Sequence, residues 1–243
     1  MNDEKLCRIA LNTAPQIGPV THHRLVAAFG AASQVFKAGL SDLARVEGVS
    51  NKTAALIKEM DPISVGAREA DLAGRGGATI FVLGEEGYPP PLVNAYSPPP
   101  VIYISGEWRE EDTAAIAIVG SRAPTRYGKV MTEKFATELA KNGVTIVSGL
   151  ARGVDGIAHR SAITAGGRTM AVLGCGLNIF YPAEHRELQK KIPAHGAVIS
   201  QFPYTARPDK IFFPMRNRVI SGLSLGTFIT EKRRADHRLR RAG

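Results

Sequence analysis

Apolar runs alternate with helix-like spacing through the second half of the chain. Two segments with apolar residues at helical intervals, 127–142 and 156–165, separate the first three runs. Continuous apolar runs are typical of strands that are covered on both faces of a sheet. Strands that alternate with helices in this way predict a doubly wound parallel sheet, and therefore an α/β fold. The predicted strands are residues 115–119, 144–147, 169–173, 197–199 and 226–230.

The first 60 residues have a different pattern, which is wholly helical. Apolar residues recur at helical spacing before Gly30, where we expect a helix to end. Further along, Glu47-Gly48 between two short helical segments resembles a helix-hairpin-helix turn, whose backbone N–H groups bind a phosphate. A compact helical bundle that docks another protein explains the pattern equally well. We predict a small helical (SAM-like, helix-hairpin-helix) module over residues 1–65 and a second domain over residues 66–231.

Prolines are frequent in the part of the second domain that precedes the predicted strands listed above. Residues 84–112 contain two proline runs, 89–91 and 98–100, and proline disfavours helix interiors. We therefore expect extended connectors without helix here, ending in a short strand at residues 101–104.

The net charge of +9 points towards an anionic partner, but much of it lies in the last residues. Residues 231–243 contain six basic and two acidic side chains, a net charge of +4, which leaves +5 for the other 230 residues. A globular surface of that charge is common in proteins that never meet nucleic acid. Charge alone therefore decides little.

Composition disfavours several other classes of protein. The apolar runs fall short of the ~20 residues that a membrane helix needs. Residues 1–5 carry acids where a secretory signal carries basic and apolar residues. Cys7 and Cys175 are isolated, which indicates neither a disulfide framework nor a zinc site. We expect a cytoplasmic protein without a metal site.

Glycine-rich loops follow three of the predicted strands; the first two contain arginine, and the third places aromatic residues beside its glycines. Gly120-Ser121-Arg122 follows the first, and segments 148–155 and 174–182 follow the second and third. The carboxyl ends of parallel strands meet at one edge of the sheet, where such folds bind ligands. Glycine lets a phosphate approach the backbone, and arginine offers a bidentate fork. For any single loop, the alternative is that its glycines only make a tight turn. The second loop contributes Gly149, Arg152, Gly153 and Asp155.

A fourth segment, 213–224, places two arginines and an asparagine between apolar residues. Phe212 and Phe213 are candidates for stacking on bases, whereas Phe180 and Tyr181 are interpreted as packing residues. The first loop is not a GxGxxG motif, so no nicotinamide cofactor is indicated. His159 has no nucleophile in a recognisable setting beside it, and we interpret it as a structural or surface residue.

Taken together, these motifs resemble the signatures of one family, DNA-processing protein A (DprA, also called Smf). The resemblance runs in the right order from about residue 80 to residue 231, after a compatible helical module. It implies a bacterial cytosolic protein with an extended Rossmann-like domain, no cofactor and no catalytic residue. Such a protein binds and protects single-stranded DNA during natural transformation and loads the RecA recombinase onto it.

The resemblance also assigns a DNA-binding role to particular residues. In that family, the Gly-Ser-Arg loop and the basic residues around the Arg-Asn-Arg segment line the DNA pocket. The expected DNA-binding residues of this chain are Gly120, Ser121, Arg122, Gly149, Arg152, Gly153, Lys210, Phe213, Arg216, Asn217 and Arg218.

The resemblance stops after Glu231. The family continues with further strands and helices, whereas residues 232–243 contain one large apolar residue, Leu239, and cannot supply a buried strand. We expect an incomplete Rossmann-like domain followed by an aberrant basic tail, with the reading frame lost after Glu231. The homodimer that the family forms is then expected to be weakened or lost. A functional basic tail is the alternative.

Other functions fit part of the sequence. A nucleotide-processing hydrolase of the lysine-decarboxylase-like fold shares the Rossmann core, and Gly226-Thr227 with Glu231 matches it loosely. That group carries a double-glycine loop before this point, where the present chain has residues 221–225 instead. The remaining alternatives are a docking adaptor built on the helical module and a non-functional fragment.

Overall fold

A seven-stranded sheet organises the structure, a computed structural model that describes residues 1–231. The basic tail predicted at residues 232–243 lies outside the described residues. The strands, in chain order, are β1 (Ala78–Val82), β2 (Val101–Gly106), β3 (Ala115–Val119), β4 (Thr145–Ser148), β5 (Thr169–Val172), β6 (Gly196–Ser200) and β7 (Gly226–Ile229).

Five of the strands form the doubly wound parallel sheet that the apolar runs predicted. They lie in the order β6-β5-β4-β3-β7, and each neighbouring pair is parallel. The chain builds outward from β3 to β6 and then returns to add β7 on the other side of β3. Strand order therefore reverses beside β3, and that is the point at which such sheets bind ligands.

The other two strands extend the sheet with opposite polarity. β2 pairs antiparallel with β6, and β1 pairs antiparallel with β2. Of these two antiparallel additions to the predicted parallel sheet, β2 was predicted as a strand and β1 was not. β1 is an edge strand in which Ala78 and Ile80 are buried, Thr79 is exposed, and Phe81 and Val82 are half-buried.

Helices cover the sheet on both faces. One face carries the cluster of Ile118 and Ile146 with two helices, and the other face carries Ala117 and Val147. No helix in the described part of the chain has the length and apolar character that a bilayer crossing requires. The helices are α1 (Asp3–Thr13), α2 (Pro19–Phe29), α3 (Ala32–Lys37), α4 (Leu40–Ala44), α5 (Asn51–Glu59), α6 (Pro62–Arg75), α7 (Pro90–Val93), α8 (Arg126–Lys141), α9 (Val154–Thr164), α10 (Arg186–Lys191) and α11 (Phe212–Gly222).

The first five helices form the predicted helical module around their own core. α2 ends at Gly30, whose φ of +84° suits glycine, as the sequence predicted. Gly48, with φ of +88°, turns the chain between α4 and α5, and the Ser50 side chain caps α5 by accepting the N–H of Thr53. The core of the module contains Leu11, Leu25, Val35, Leu43 and Ile57.

α6 joins this module to the sheet. It packs along α1 so closely that a Cβ on Gly66 would collide with the backbone of Leu6, and it also packs on β1. The domain division at residue 65 stays a prediction.

The proline-rich segment contains one short helix, α7, where we had expected none. Its first residue is Pro90, and the first turn tolerates proline because the N–H groups there have no partner within the helix. Leu92 of α7 is fully buried against the sheet beside α11.

Candidate nucleic-acid interface

The first glycine loop lies where the strand order reverses. Ser121 donates its N–H to the carbonyl of Glu231 at the end of β7 (3.0 Å), and its own carbonyl accepts the N–H of Val154 at the start of α9 (3.2 Å). The loop therefore bridges the carboxyl end of the sheet and the next helix. Gly153 has φ of +74°, and a Cβ on it would collide with the backbone of Ser121 and Arg122. Only glycine satisfies both demands.

Ser121 and Arg122 have different environments although they are adjacent. Ser121 is 4% exposed, and its hydroxyl oxygen accepts the N–H of Ala123 (3.2 Å), which fixes the turn. Arg122 points outward, with its guanidinium carbon 5.7 Å from the ring centroid of Phe213. The serine holds the loop, and the arginine is left free to meet a ligand.

The second glycine loop is fixed from within. The Asp155 carboxylate accepts the N–H groups of Gly149 and Ala151, each at 3.2 Å. Leu150 adopts a left-handed conformation (φ +54°), and its carbonyl accepts a hydrogen bond from Nδ1 of His185 (3.0 Å). Burial raises the pKa of Asp155, while the nearby positive charge of Arg216 acts in the opposite direction. The Gly149 amide is thus committed to Asp155 and not offered to a phosphate.

Arg216 supports this loop from below. Its side chain is buried, and Nη1 donates to the carbonyls of Gly149 (2.5 Å) and Val172 (2.6 Å). A Cβ on Gly149 would collide with the guanidinium. The expectation that Arg216 faces a DNA pocket therefore needs correction, because its donors are used inside the fold. We call Gly149, Leu150, Asp155, His185 and Arg216 the floor of the interface.

The side chains of the other expected cations are exposed. Arg152 forms a bidentate pair with Glu184, with Nε–Oε1 and Nη2–Oε2 distances of 2.8 Å. The partner of Arg152 is thus Glu184 and not Asp155 of its own loop. We call the exposed polar set the rim of the interface, consisting of Arg122, Arg152, Lys210, Asn217 and Arg218.

Aromatic side chains lie between the rim residues. Phe213 packs on the third loop, where a Cβ on Gly174 would be 2.8 Å from its ring. The Tyr181 ring centroid is 5.9 Å away, and Tyr181 is 44% exposed, so it does more than pack in the interior. Phe212 is half-buried like Phe213, but its ring stacks on that of Phe202, with 4.0 Å between the ring centroids.

A second arginine–aromatic pair lies further along α11. The guanidinium carbon of Arg218 is 5.8 Å from the ring centroid of Tyr96, which is 83% exposed. Sequence reasoning missed Tyr96 because it stands in the proline-rich connector, far from every glycine loop. An exposed tyrosine between polar neighbours was the one available signal.

Comparison with known proteins decides the family. The sequence model of the family described as DNA recombination-mediator protein A matches residues 79–239, and that of a DprA-like N-terminal HHH domain matches residues 2–61. The chain belongs to the DprA/Smf family.

Curated DprA/Smf relatives are similar over most of this chain but are longer. Protein Smf of Synechocystis sp. is 34% identical over 238 residues, which is 95% of this chain and 59% of the relative. Protein Smf of Escherichia coli is 43% identical over 147 residues, which is 60% of this chain and 39% of the relative. The chain thus spans about half the length of the curated relatives it matches.

Two solved DprA structures agree with the fold. DprA from Streptococcus pneumoniae superposes with a TM-score of 0.74 at 27% identity, over 94% of this chain and 77% of that one. DprA from Helicobacter pylori is described as having a unique single-stranded DNA binding mode. It superposes with a TM-score of 0.58 at 34% identity, over 65% of this chain and 71% of that one. The α/β fold with a preceding helical module is confirmed.

The reactive side chains of this DprA-family chain are buried near the floor. Burial raises the pKa of the Cys175 thiol to about 11, so the thiolate is scarce at neutral pH. Burial also lowers the pKa of His159 to about 3. Thr169 gives its hydroxyl hydrogen to the carbonyl of Ile146, so it accepts from Nδ1 of His159 (2.7 Å). His159 is a structural residue, as the sequence indicated, and neither group is placed for chemistry.

Proposed function

We propose that this chain binds single-stranded DNA through the rim and the Phe213–Tyr181 pair, without catalysing a reaction. Exposed arginines and a lysine attract phosphates regardless of sequence, and the attraction weakens as salt rises. The aromatic rings offer faces to unpaired bases, and each base–aromatic stack contributes roughly 1–3 kcal/mol. A duplex keeps its bases stacked on one another, so it gains only the phosphate contacts.

One observation carries this proposal. Arg122 and Phe213 come from separate motifs, 91 positions apart in the sequence, yet their side chains lie side by side above a fixed floor. A cation beside a half-buried aromatic ring suits one nucleotide, with its phosphate on the first and its base on the accessible part of the second. The floor supports this placement because Arg216, on the same helix as Phe213, donates to the carbonyl of Gly149 and so ties α11 to the second glycine loop.

Family membership extends the proposal to a biological role. We infer a part in DNA processing during natural transformation, including protection of incoming DNA and loading of RecA, as the resemblance implies. Both steps are inferred from the family resemblance, and the matched relatives are longer than this chain. That the family homodimer is weakened or lost here stays a prediction. RecA loading is testable apart from binding, by measuring RecA filament nucleation on a single strand coated with another single-strand binding protein.

Fluorescence anisotropy tests the binding itself. A labelled oligonucleotide is titrated with the purified chain as a single strand and as a blunt duplex, over a series of salt concentrations. We expect about tenfold or greater preference for the single strand, the equivalent of one base stack. Its affinity should fall linearly on a log–log salt plot. Equal binding of the two forms would contradict single-strand recognition, and affinity that does not respond to salt would contradict phosphate contacts.

A further inference from the structure

A groove continues from the rim along the outer side of the domain, between α8 and α9. It has a volume of about 830 Å³, begins beside Arg122 and Gly153, and reaches Thr164 at the end of α9. The eleven residues of α9, Val154–Thr164, correspond to ~16 Å along the helix axis. We call it the α8–α9 groove. Its middle is lined by Lys129, Glu133, Thr137, Ile157, Arg160 and Ser161.

The lining of this groove carries a net charge of +2, from Arg122, Lys129, Arg152 and Arg160 against Glu133 and Glu184. Arg152 and Glu184 neutralise each other at its mouth. Lys129 and Arg160 are exposed, and within residues 1–231 no carboxylate lies within the 4.0 Å that defines an ion pair with either. Lys129 and Arg160 therefore have no ion-pair partner within residues 1–231, and the groove that they line ends at Arg122. Together these cations attract an extended anion.

The rest of the lining distinguishes a polyanion from a protein partner. Thr137, Ser161 and Thr164 supply hydroxyl groups, which commonly bind phosphate oxygens. Ile157 is the one large apolar side chain among the described residues that line it. Protein interfaces depend on a buried cluster of aromatic or aliphatic anchors, and this groove offers none of that kind in the described part of the chain.

We propose that the α8–α9 groove binds the phosphates of a DNA strand that leaves the rim, so that the strand turns from the carboxyl edge of the sheet down the side of the domain. This inference rests on the proposed single-strand binding and adds a second, purely electrostatic stretch to it. Lys129 and Arg160 are the residues that contact the strand there. The groove has no aromatic face, so it adds affinity and length dependence but no preference for base identity.

The test compares two oligonucleotide lengths, about 4 and about 16 nucleotides, which bracket the site sizes of single-strand binding folds. The variant Lys129→Ala/Arg160→Ala is measured against Lys134→Ala/Lys141→Ala, which removes the same charge from exposed positions of α8 that do not line the groove. We expect the groove variant to bind the long oligonucleotide about tenfold more weakly. Its log–log salt slope should fall by about 1.4, at ~0.7 per phosphate contact for single strands. The short oligonucleotide and the control variant should be unaffected.

The outcomes separate the two proposals. The groove inference is overturned if Arg122→Ala weakens binding of both oligonucleotides while the groove variant binds each of them as tightly as the control variant does. The proposed binding by the rim would then remain. Equal losses on the short and the long oligonucleotide would also overturn it, because the effect would then be general charge. If the unmodified chain binds neither length, the proposed function itself has failed.

Discussion

The floor and the rim of the interface use the same residue type for opposite purposes. Arg216 and Arg218 belong to one Arg-Asn-Arg motif on α11, two residues apart. Arg216 is buried and donates to two main-chain carbonyls, whereas Arg218 is exposed beside the ring of Tyr96. Side chains two positions apart on a helix point about 160° away from each other. Arginine content alone therefore does not define a DNA-binding surface, and burial decides which arginine supports and which one binds.

The largest expected effect is a loss of stability on replacing Arg216, which belongs to the floor. Arg216→Met removes the partner of two carbonyls and the positive charge nearest the buried Asp155. Loss of one member of a buried charged network costs about 3–5 kcal/mol, so the free energy of unfolding measured by urea denaturation should fall by that amount. Arg218→Met is the matched control and should change it by less than about 0.5 kcal/mol. Equal stability of the two variants would refute the distinction between floor and rim.

The next largest effect is expected on single-strand affinity, from the aromatic ring of Phe213 beside the rim. Phe213→Ala should weaken single-strand binding by roughly 1–3 kcal/mol, because a base loses its stacking partner. Phe213→Tyr keeps the ring and should restore binding in the same anisotropy assay. If the tyrosine variant binds no better than the alanine variant, stacking is not the reason for the loss.

Acid pH should lower the free energy of unfolding of the chain through His159. Burial keeps its pKa in the fold at about 3, below the ordinary 6.5, so the unfolded chain binds a proton that the folded chain does not. Stability is therefore unaffected above about pH 6.5 and falls below it by about 1.4 kcal/mol per pH unit. Urea denaturation between pH 7.5 and 4.5 should show a shallower decline for His159→Leu than for the unmodified chain. Parallel declines would contradict a neutral, buried His159.

The smallest expected effect concerns the mouth of the α8–α9 groove. Glu184 holds Arg152 in an exposed bidentate pair, and exposed pairs are weak because water and salt screen the charges. Glu184→Gln should therefore free Arg152 and raise single-strand affinity by no more than about fivefold. Glu187→Gln, which breaks another exposed pair nearby, is the control. A decrease in affinity with Glu184→Gln would mean that Arg152 needs this partner to bind.

The parallel strands and their loops were predictable because each physical requirement is local. A strand covered on both faces needs a continuous apolar run, as in β3, and a tight approach at the strand end needs glycine, as at Gly153. β1 also contains an apolar run, Ile80–Val82, but it was missed because it lies before the proline-rich segment, outside the alternation of strands and helices. α7 was missed because its prolines occupy a helix start, where they are tolerated.

The division between floor and rim was only partly visible in the sequence. Arg216, Val219 and Ile220 are spaced i, i+3, i+4, so they share one helix face, and both apolar residues are buried. That spacing indicates a buried arginine once α11 is recognised as a helix. The contacts of Arg152 with Glu184 and of Arg218 with Tyr96 join distant segments, and no local pattern indicates them.

The most direct test of the account measures one variant in two ways. Arg122→Ala is compared with the unmodified chain for single-strand affinity across a salt series and for free energy of unfolding in urea. Because Arg122 is an exposed rim residue, we expect a loss of about ten- to a hundredfold in affinity, as for a hydrogen bond to a charged group, with stability changed by less than about 0.5 kcal/mol. Unchanged affinity would contradict a rim that binds DNA. A large loss of stability would place Arg122 in the floor instead.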